Sequence, residues 1–122
     1  MAIKPVPIFA KSGVVERGTQ EAVKTGFPTA NIPYADPDIA GTYAGKVTVD
    51  RVEYRAAIYA NQKHGILEAF LFDFSGNLYG KMVTMILLER LVDPKVFRGK
   101  QDEKSFIDWA VAEVQKYFNR EE

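Results

Sequence analysis

Thr42-Tyr-Ala-Gly-Lys-Val-Thr-Val49, the pair Asp50-Arg51, and Val52-Glu-Tyr-Arg-Ala-Ala-Ile-Tyr59 form the stretch that decides the fold. Tyr43, Val47 and Val49 share one side of an extended chain, with Gly45 between them. That is the period of two that a half-buried strand requires. The second run alternates less cleanly but is rich in β-formers, and a two-residue connection is short enough for a hairpin. Downstream, Leu67-Glu-Ala-Phe-Leu-Phe-Asp-Phe74 reads as a third strand, Ser75-Gly-Asn77 as a turn, and Leu78 to Leu91 as the returning strand. Upstream, a strand covers Phe9 to Arg17, and Pro28 to Asp38, holding Pro28, Pro33 and Pro37, reads as an irregular connection.

The end of the chain changes period. Ile107, Ala110, Val111, Val114 and Phe118 fall on one helical face, flanked by Trp109 and Tyr117, which predicts a helix over about 103–119. Asp102 is a candidate N-cap, and Ser105 with Asp108 a candidate capping box. Short strands followed by one amphipathic helix give a mainly β, antiparallel fold with a helix laid against it. There is no βαβ alternation and no internal repeat. Closure into a small barrel protects the strand edges that so short a chain would otherwise expose.

Composition removes several functions. The 122 residues make one domain, 1–122, large enough to build a core without disulfides. Cysteine is absent and there is one histidine, which excludes thiolate chemistry and multi-histidine metal sites. Sixteen basic residues balance sixteen acidic ones, a poor basis for binding nucleic acid or a membrane surface. The start of the chain has no long apolar region, and Pro5 and Pro7 interrupt it. The expectation is a cytoplasmic protein.

Three places could carry chemistry. In Thr25-Gly-Phe-Pro-Thr-Ala-Asn-Ile32, Thr29 and Asn31 project to one side of an extended chain, as hard neutral oxygen ligands suited to Mg²⁺. The same residues also suit a plain proline turn with local side-chain bonds. Glu68 shares a strand side with Phe70, Phe72 and Phe74. A carboxylate there is costly unless it is paired or functional, and burial would raise its pKa toward the range of a general base; an outward-facing strand end serves equally well. Asp73-Phe-Ser-Gly-Asn-Leu-Tyr-Gly80 is a polar turn ending on an aromatic residue, open to a hairpin or a binding role. His64 reads as a surface residue and Trp109 as helix packing. No P-loop motif occurs.

Taken in order, Val14-Val-Glu-Arg-Gly18, Gly26-Phe-Pro-Thr-Ala-Asn-Ile32, Gly41-Thr-Tyr43, Glu68, Phe72-Asp-Phe74, Leu78-Tyr-Gly-Lys81 and Asp93-Pro-Lys-Val-Phe97 resemble the riboflavin kinase (flavokinase) family over nearly the whole chain. The Gly-Phe-Pro-Thr-Ala-Asn run is the most specific of these. The resemblance implies a six-stranded antiparallel Greek-key barrel with a C-terminal helix. It also implies transfer of the ATP γ-phosphate to the 5′-hydroxyl of riboflavin, giving FMN and ADP in a monomeric enzyme.

By position, the resemblance makes Glu68 the catalytic base and Thr29 and Asn31 the ligands of Mg²⁺ (or Zn²⁺). It places the nucleotide along Gly18, Thr29, Asn31, Leu71, Asp73 and Tyr79, and the flavin near Lys95 and Phe97; Lys24, the one cation between Gly18 and Gly26, is the further candidate for the phosphates. The sequence departs from the family where a Gly- and Arg-rich flap is usual, since Thr19-Gln-Glu-Ala-Val-Lys-Thr25 has no glycine and one lysine. The family's arginine before the acidic-Pro-Lys segment falls on Val92, with Arg90 two residues away, and Ala60-Asn-Gln-Lys-His64 replaces the usual Gly-x-x-Pro-Thr stretch. The expectation is a kinase barrel without the adenylyltransferase domain of bifunctional bacterial forms. A non-catalytic flavin- or nucleotide-binding relic, favoured by the flap, and an oligonucleotide-binding barrel are the alternatives.

Overall fold

In the computed structural model, Asp50 and Arg51 both take left-handed backbone, with φ of +50° and +71°. Two such residues in a row form the turn whose twist matches that of the flanking strands. They join β3 (Gly41–Val49) to β4 (Val52–Asn61). The structure describes residues 6–16, 27–97 and 99–121. The other strands are β1 (Phe9–Val14), β2 (Thr29–Pro33), β5 (Ile66–Leu71) and β6 (Met82–Val92), and one helix, α1 (Lys100–Glu121), ends the chain.

All pairings are antiparallel, in the order β1-β6-β3-β4-β5-β2. The tail of β1 brings the two outer strands together. The Glu16 amide donates to the Asn31 carbonyl at 2.8 Å, and the Val15 amide to the Lys81 carbonyl at 2.8 Å. The result is the expected nearly closed barrel, with its edges paired rather than open to other chains.

Two apolar layers result. Ile32, Val47, Ile58, Leu67, Leu71, Val83, Met85 and Leu87 fill the barrel. Outside it, Ala44, Ala57, Tyr59, Phe70 and Phe72 meet Val111, Val114 and Phe118 of α1. Full burial of a side chain like Phe70 contributes about 1.5–3 kcal/mol. Because β4 is covered on both sides, Ala56 to Asn61 are buried consecutively, which explains its blurred alternation. Gly45 is needed where β3 crosses β6, because a Cβ there would collide with the Ile86 carbonyl and with Ile58.

The structure corrects several boundaries. Pro28 to Asp38 is not all irregular, because Thr29–Pro33 is β2. Ala30 and Ile32 point into the core, and Pro33 sits exposed at the strand's end, where a missing N–H is tolerated. The strand expected to reach Phe74 stops at Leu71, since Asp73 turns left-handed at φ +60°. Phe74 therefore leaves the side of Glu68 and packs edge-on against Tyr54 at 5.0 Å.

The returning strand starts at Met82, while Leu78 is a buried plug before it. Arg17, expected to close the first strand, lies outside the described residues. Gly99 rather than Asp102 caps α1, its carbonyl accepting from the Glu103 amide at 3.1 Å. That places Asp102 and Glu103 in the first turn, where carboxylates suit the helix dipole. Trp109 is half-exposed and packs along α1, its ring 5.6 Å from that of Phe106.

Candidate active site

Glu68 lies opposite Asn31 of β2 on one side and Tyr59 of β4 on the other. The register carries the line further in both directions. Asn31 bridges to Glu16, Tyr59 faces Thr42, and Thr42 faces Val92. Directly paired residues share a face, and neighbouring strands are about 4.8 Å apart. Glu16, Asn31, Glu68, Tyr59 and Thr42 thus form a polar line around the outside of the barrel. The adjacent row on the same face, Thr29, Phe70, Ala57 and Ala44, is apolar after Thr29 and carries α1.

The line is deep for polar groups: Asn31, Thr42 and Tyr59 are 4%, 2% and 8% exposed, and Glu68 is half-buried. Burial pushes the Tyr59 phenol well above its ordinary range, with the carboxylates of Glu103 and Glu68 and the Tyr34 phenol adding to the effect. Tyr59 therefore keeps its proton at neutral pH. Tyr34 is pushed up to about 12 by burial first, then by Tyr43 and Asp36. Its hydroxyl donates to the Ile39 carbonyl at 2.7 Å.

Thr29 and Asn31 stand two apart on β2, so both side chains take the outer face, with Glu68 beside Asn31. Among the described residues no group of three or more His, Asp and Glu could hold a metal ion. Two neutral oxygens and one carboxylate suit a hard cation that keeps its waters and is completed by phosphates, as Mg²⁺ does. Zn²⁺ prefers nitrogen and sulfur, and the single histidine lies exposed in the β4–β5 turn.

The remaining expected residues fall on two sides of the Asn31–Glu68 pair. Leu71 faces the barrel interior and its amide donates to the Pro28 carbonyl at 2.9 Å, so its carbonyl is what it can offer a nucleotide. Phe72 follows, edge-on to Phe27 at 5.2 Å, and Asp73 beyond it is exposed. Tyr79 is exposed at the Glu16 end of the line, where the next amide, that of Gly80, donates to the Val15 carbonyl at 3.0 Å. Gly18 and Lys24 lie outside the described residues.

Lys95 and Phe97 lie together at the Val92 end. The segment after β6 crosses the start of β3 closely, and Gly41, at φ +101°, makes room for it. A Cβ there would strike the Val92 carbonyl and reach the Pro94 nitrogen at 3.2 Å. The Lys95 ammonium sits over Phe97 and Phe106 at 5.8 and 5.2 Å, and 3.7 Å from Asp102. Phe97 packs onto the outer layer that holds Tyr59 and Phe70. Tyr59, Thr42 and Glu103 are the members of this region that the sequence reading missed. A cleft of about 260 Å³ between Tyr34, Asp36, Pro37, Gln62 and Gly65 holds none of the expected residues.

A small antiparallel barrel with a polar line on its outer face, partly roofed by one C-terminal helix, is the class that fold and site define. The family model of flavokinase, riboflavin kinase, matches residues 7–118. Similar proteins include the bifunctional riboflavin kinase/FMN adenylyltransferase of Mycoplasma pneumoniae, 33% identical over 115 residues, covering 90% of this chain and 43% of that protein. The protein of the same description from Buchnera aphidicola is 29% identical over 123 residues, covering 92% and 39%. A crystal structure described as a macrolide-efflux protein from Streptococcus pneumoniae superposes with a TM-score of 0.66 at 28% identity, covering 90% of this chain and 38% of that one. The chain spans about two-fifths of the length of these relatives. It belongs to the flavokinase family, the riboflavin kinases.

Proposed function

We propose that this chain is an ATP:riboflavin 5′-phosphotransferase. The observation that carries the reading is the pairing of Asn31 with Glu68, which sets a metal-ligand candidate beside a base candidate on one face. Glu68 takes the proton of the riboflavin 5′-hydroxyl as that oxygen bonds to the γ-phosphorus. The bond from phosphorus to the bridging oxygen breaks, and ADP leaves. Phosphoryl transfer is mostly positioning and charge neutralisation, so one base and a set of oriented donors are enough.

Thr29 and Asn31 would hold Mg²⁺, which when bound neutralises the phosphate oxygens. Asn31 suits the place next to Glu68 because it adds a ligand oxygen without a second negative charge. The nucleotide would run past Thr29, the Leu71 carbonyl, Asp73 and Tyr79, with Gly18 and Lys24 from the segment before β2. The flavin would lie toward Lys95 and Phe97, on the opposite side of Glu68. Among the described residues no helix is long and apolar enough to cross a membrane. We place the protein in the cytoplasm, where ATP is available, as a monomer that binds neither nucleic acid nor membrane. Incubation with riboflavin, ATP and Mg²⁺, followed by chromatography, should yield FMN. Its absence from a folded, flavin-binding preparation would refute the reading.

A further inference from the structure

Where β2 stops and the β4–β5 turn begins, a cleft of about 260 Å³ opens between Tyr34, Ala35, Asp36, Pro37, Gln62 and Gly65. Its walls are fixed by the chain itself. The Tyr34 amide donates to the Gly65 carbonyl at 3.0 Å, and the Tyr34 hydroxyl to the Ile39 carbonyl at 2.7 Å. The side-chain nitrogen of Gln62 donates to the Pro37 and Ile39 carbonyls, at 2.6 and 3.2 Å. The Asp38 amide donates to Oδ1 of Asp36 at 2.9 Å, which holds the carboxylate in a local turn. A cleft held in this way spends little free energy on ordering itself when it binds.

The same bonds decide which polar groups stay available. The side-chain donors of the cleft, the Tyr34 hydroxyl and the Gln62 nitrogen, are spent on the chain's own carbonyls. Carbonyls can only accept, so Gln62 turns its nitrogen to them and its oxygen away. What remains is a set of acceptors, the second carboxylate oxygen of Asp36 and the amide oxygen of Gln62. Asp36 is half-buried, and among the described residues it forms no ion pair. Lys63 and His64 belong to the same turn but do not line the cleft. Acceptors without donors reject an anion, and one uncompensated carboxylate selects a cation.

We propose that this cleft binds a guanidinium group on a short alkyl stem. A guanidinium is flat and carries its N–H donors in a fixed fork, so it can engage the Asp36 carboxylate and the Gln62 oxygen together. An ammonium is a compact, more strongly hydrated charge and gains less from the same two acceptors. Ala35, Pro37 and the Tyr34 ring offer apolar surface for the stem. The volume suits a ligand the size of a side chain, below the roughly 300–1,000 Å³ of clefts for larger molecules. This site is separate from the phosphotransfer site and stands whether or not FMN is made. Two sources carry the group, a free alkylguanidine and the arginine side chain of a protein.

The test follows the backbone amide resonances of isotope-labelled protein during titration with three probes. These are N-butylguanidinium, N-butylurea, which has nearly the same shape without the charge, and N-acetylargininamide. N-butylguanidinium should move the resonances of Asp36, Gln62 and Gly65, and should bind more tightly than N-butylurea by about 10-fold or more. Asp36→Asn keeps a side-chain oxygen for the Asp38 amide and so keeps the turn. It should weaken N-butylguanidinium binding by about 10- to 150-fold, the scale of a charge-assisted hydrogen bond. Tighter binding of N-acetylargininamide than of N-butylguanidinium supports a protein's arginine as the source, and the reverse supports a free ligand. Equal binding of the urea and the guanidinium overturns the proposal. So does unchanged binding by a folded Asp36→Asn protein, or a titration that moves no resonance of the cleft.

Discussion

Asn31 and Glu68 are direct cross-strand partners on β2 and β5, although 36 residues of chain lie between them. The register puts an amide and a carboxylate side by side on the outer face, close to where the Glu16 amide closes the barrel onto Asn31. In the proposed function this pair is where metal, base and phosphates would meet, with the nucleotide on the Thr29 side.

Asn31→Ala should weaken Mg²⁺-dependent nucleotide binding by about 10- to 100-fold, the range for losing a group that supports a metal. Asn31 is in a buried strand rather than a connection, so stability should also fall, by about 1 kcal/mol. Calorimetry with Mg-ATP, alongside a riboflavin titration that should be nearly unaffected, checks both parts. Unchanged Mg-nucleotide affinity would remove Asn31 from the metal site.

Lys24 is the one cation between Thr19 and Thr25. Lys24→Ala should raise the nucleotide KM by about 10- to 150-fold, the scale of a charge-assisted contact, and the riboflavin KM far less. Glu21→Gln should lower the nucleotide KM, by a smaller factor. Steady-state kinetics with each substrate varied in turn measures this. Identical nucleotide KM values in all three proteins would mean that the segment does not cover the phosphates.

Tyr34 gives the fold an alkaline limit. Its phenol is held at about 12 in the folded chain, against an ordinary value near 10. The unfolded chain therefore loses the proton first, and the stabilisation, complete below pH 10, is lost as pH rises toward 12. Tyr59, raised in the same direction, adds to the decline. Urea midpoints should fall over that window. Tyr34→Phe should be less stable at neutral pH, having lost the bond to the Ile39 carbonyl, but should decline less steeply.

Arg51 is a side chain in a glycine's conformation, with φ +71°. Arg51→Gly should stabilise the β3–β4 hairpin by about 1 kcal/mol, the left-handed penalty less part of the entropy that glycine costs. A higher thermal midpoint at unchanged activity is the expected result. A lower one would mean that the Arg51 side chain contributes more than its backbone costs.

The β3–β4 hairpin and the buried face of α1 were legible because both depend on local spacing, namely Tyr43, Val47 and Val49 for one and Ala110, Val111, Val114 and Phe118 for the other. β2 was not, since three prolines in eleven residues read as a break, while only Pro33 lies in the strand and at its end. Thr29, Asn31 and Glu68 stood out by residue type and the family motifs gave them roles, but their arrangement depended on long-range register. No local pattern pairs Asn31 with Glu68. Tyr59 was within reach: the short turn Gln62–Gly65 pairs Asn61 with Ile66, and counting back two places sets Tyr59 against Glu68. Asp73 hid the end of β5, because a left-handed aspartate leaves no mark on hydrophobic alternation.

The most direct measurement is the rate of FMN formation by the parent and by Glu68→Gln, with riboflavin binding to each followed by fluorescence quenching. Glutamine keeps the volume of the side chain and removes the base. The kcat should fall by about 10²- to 10⁴-fold, the usual share of general-base catalysis, while both proteins bind riboflavin alike. A Glu68→Gln protein that makes FMN as fast as its parent would contradict the account.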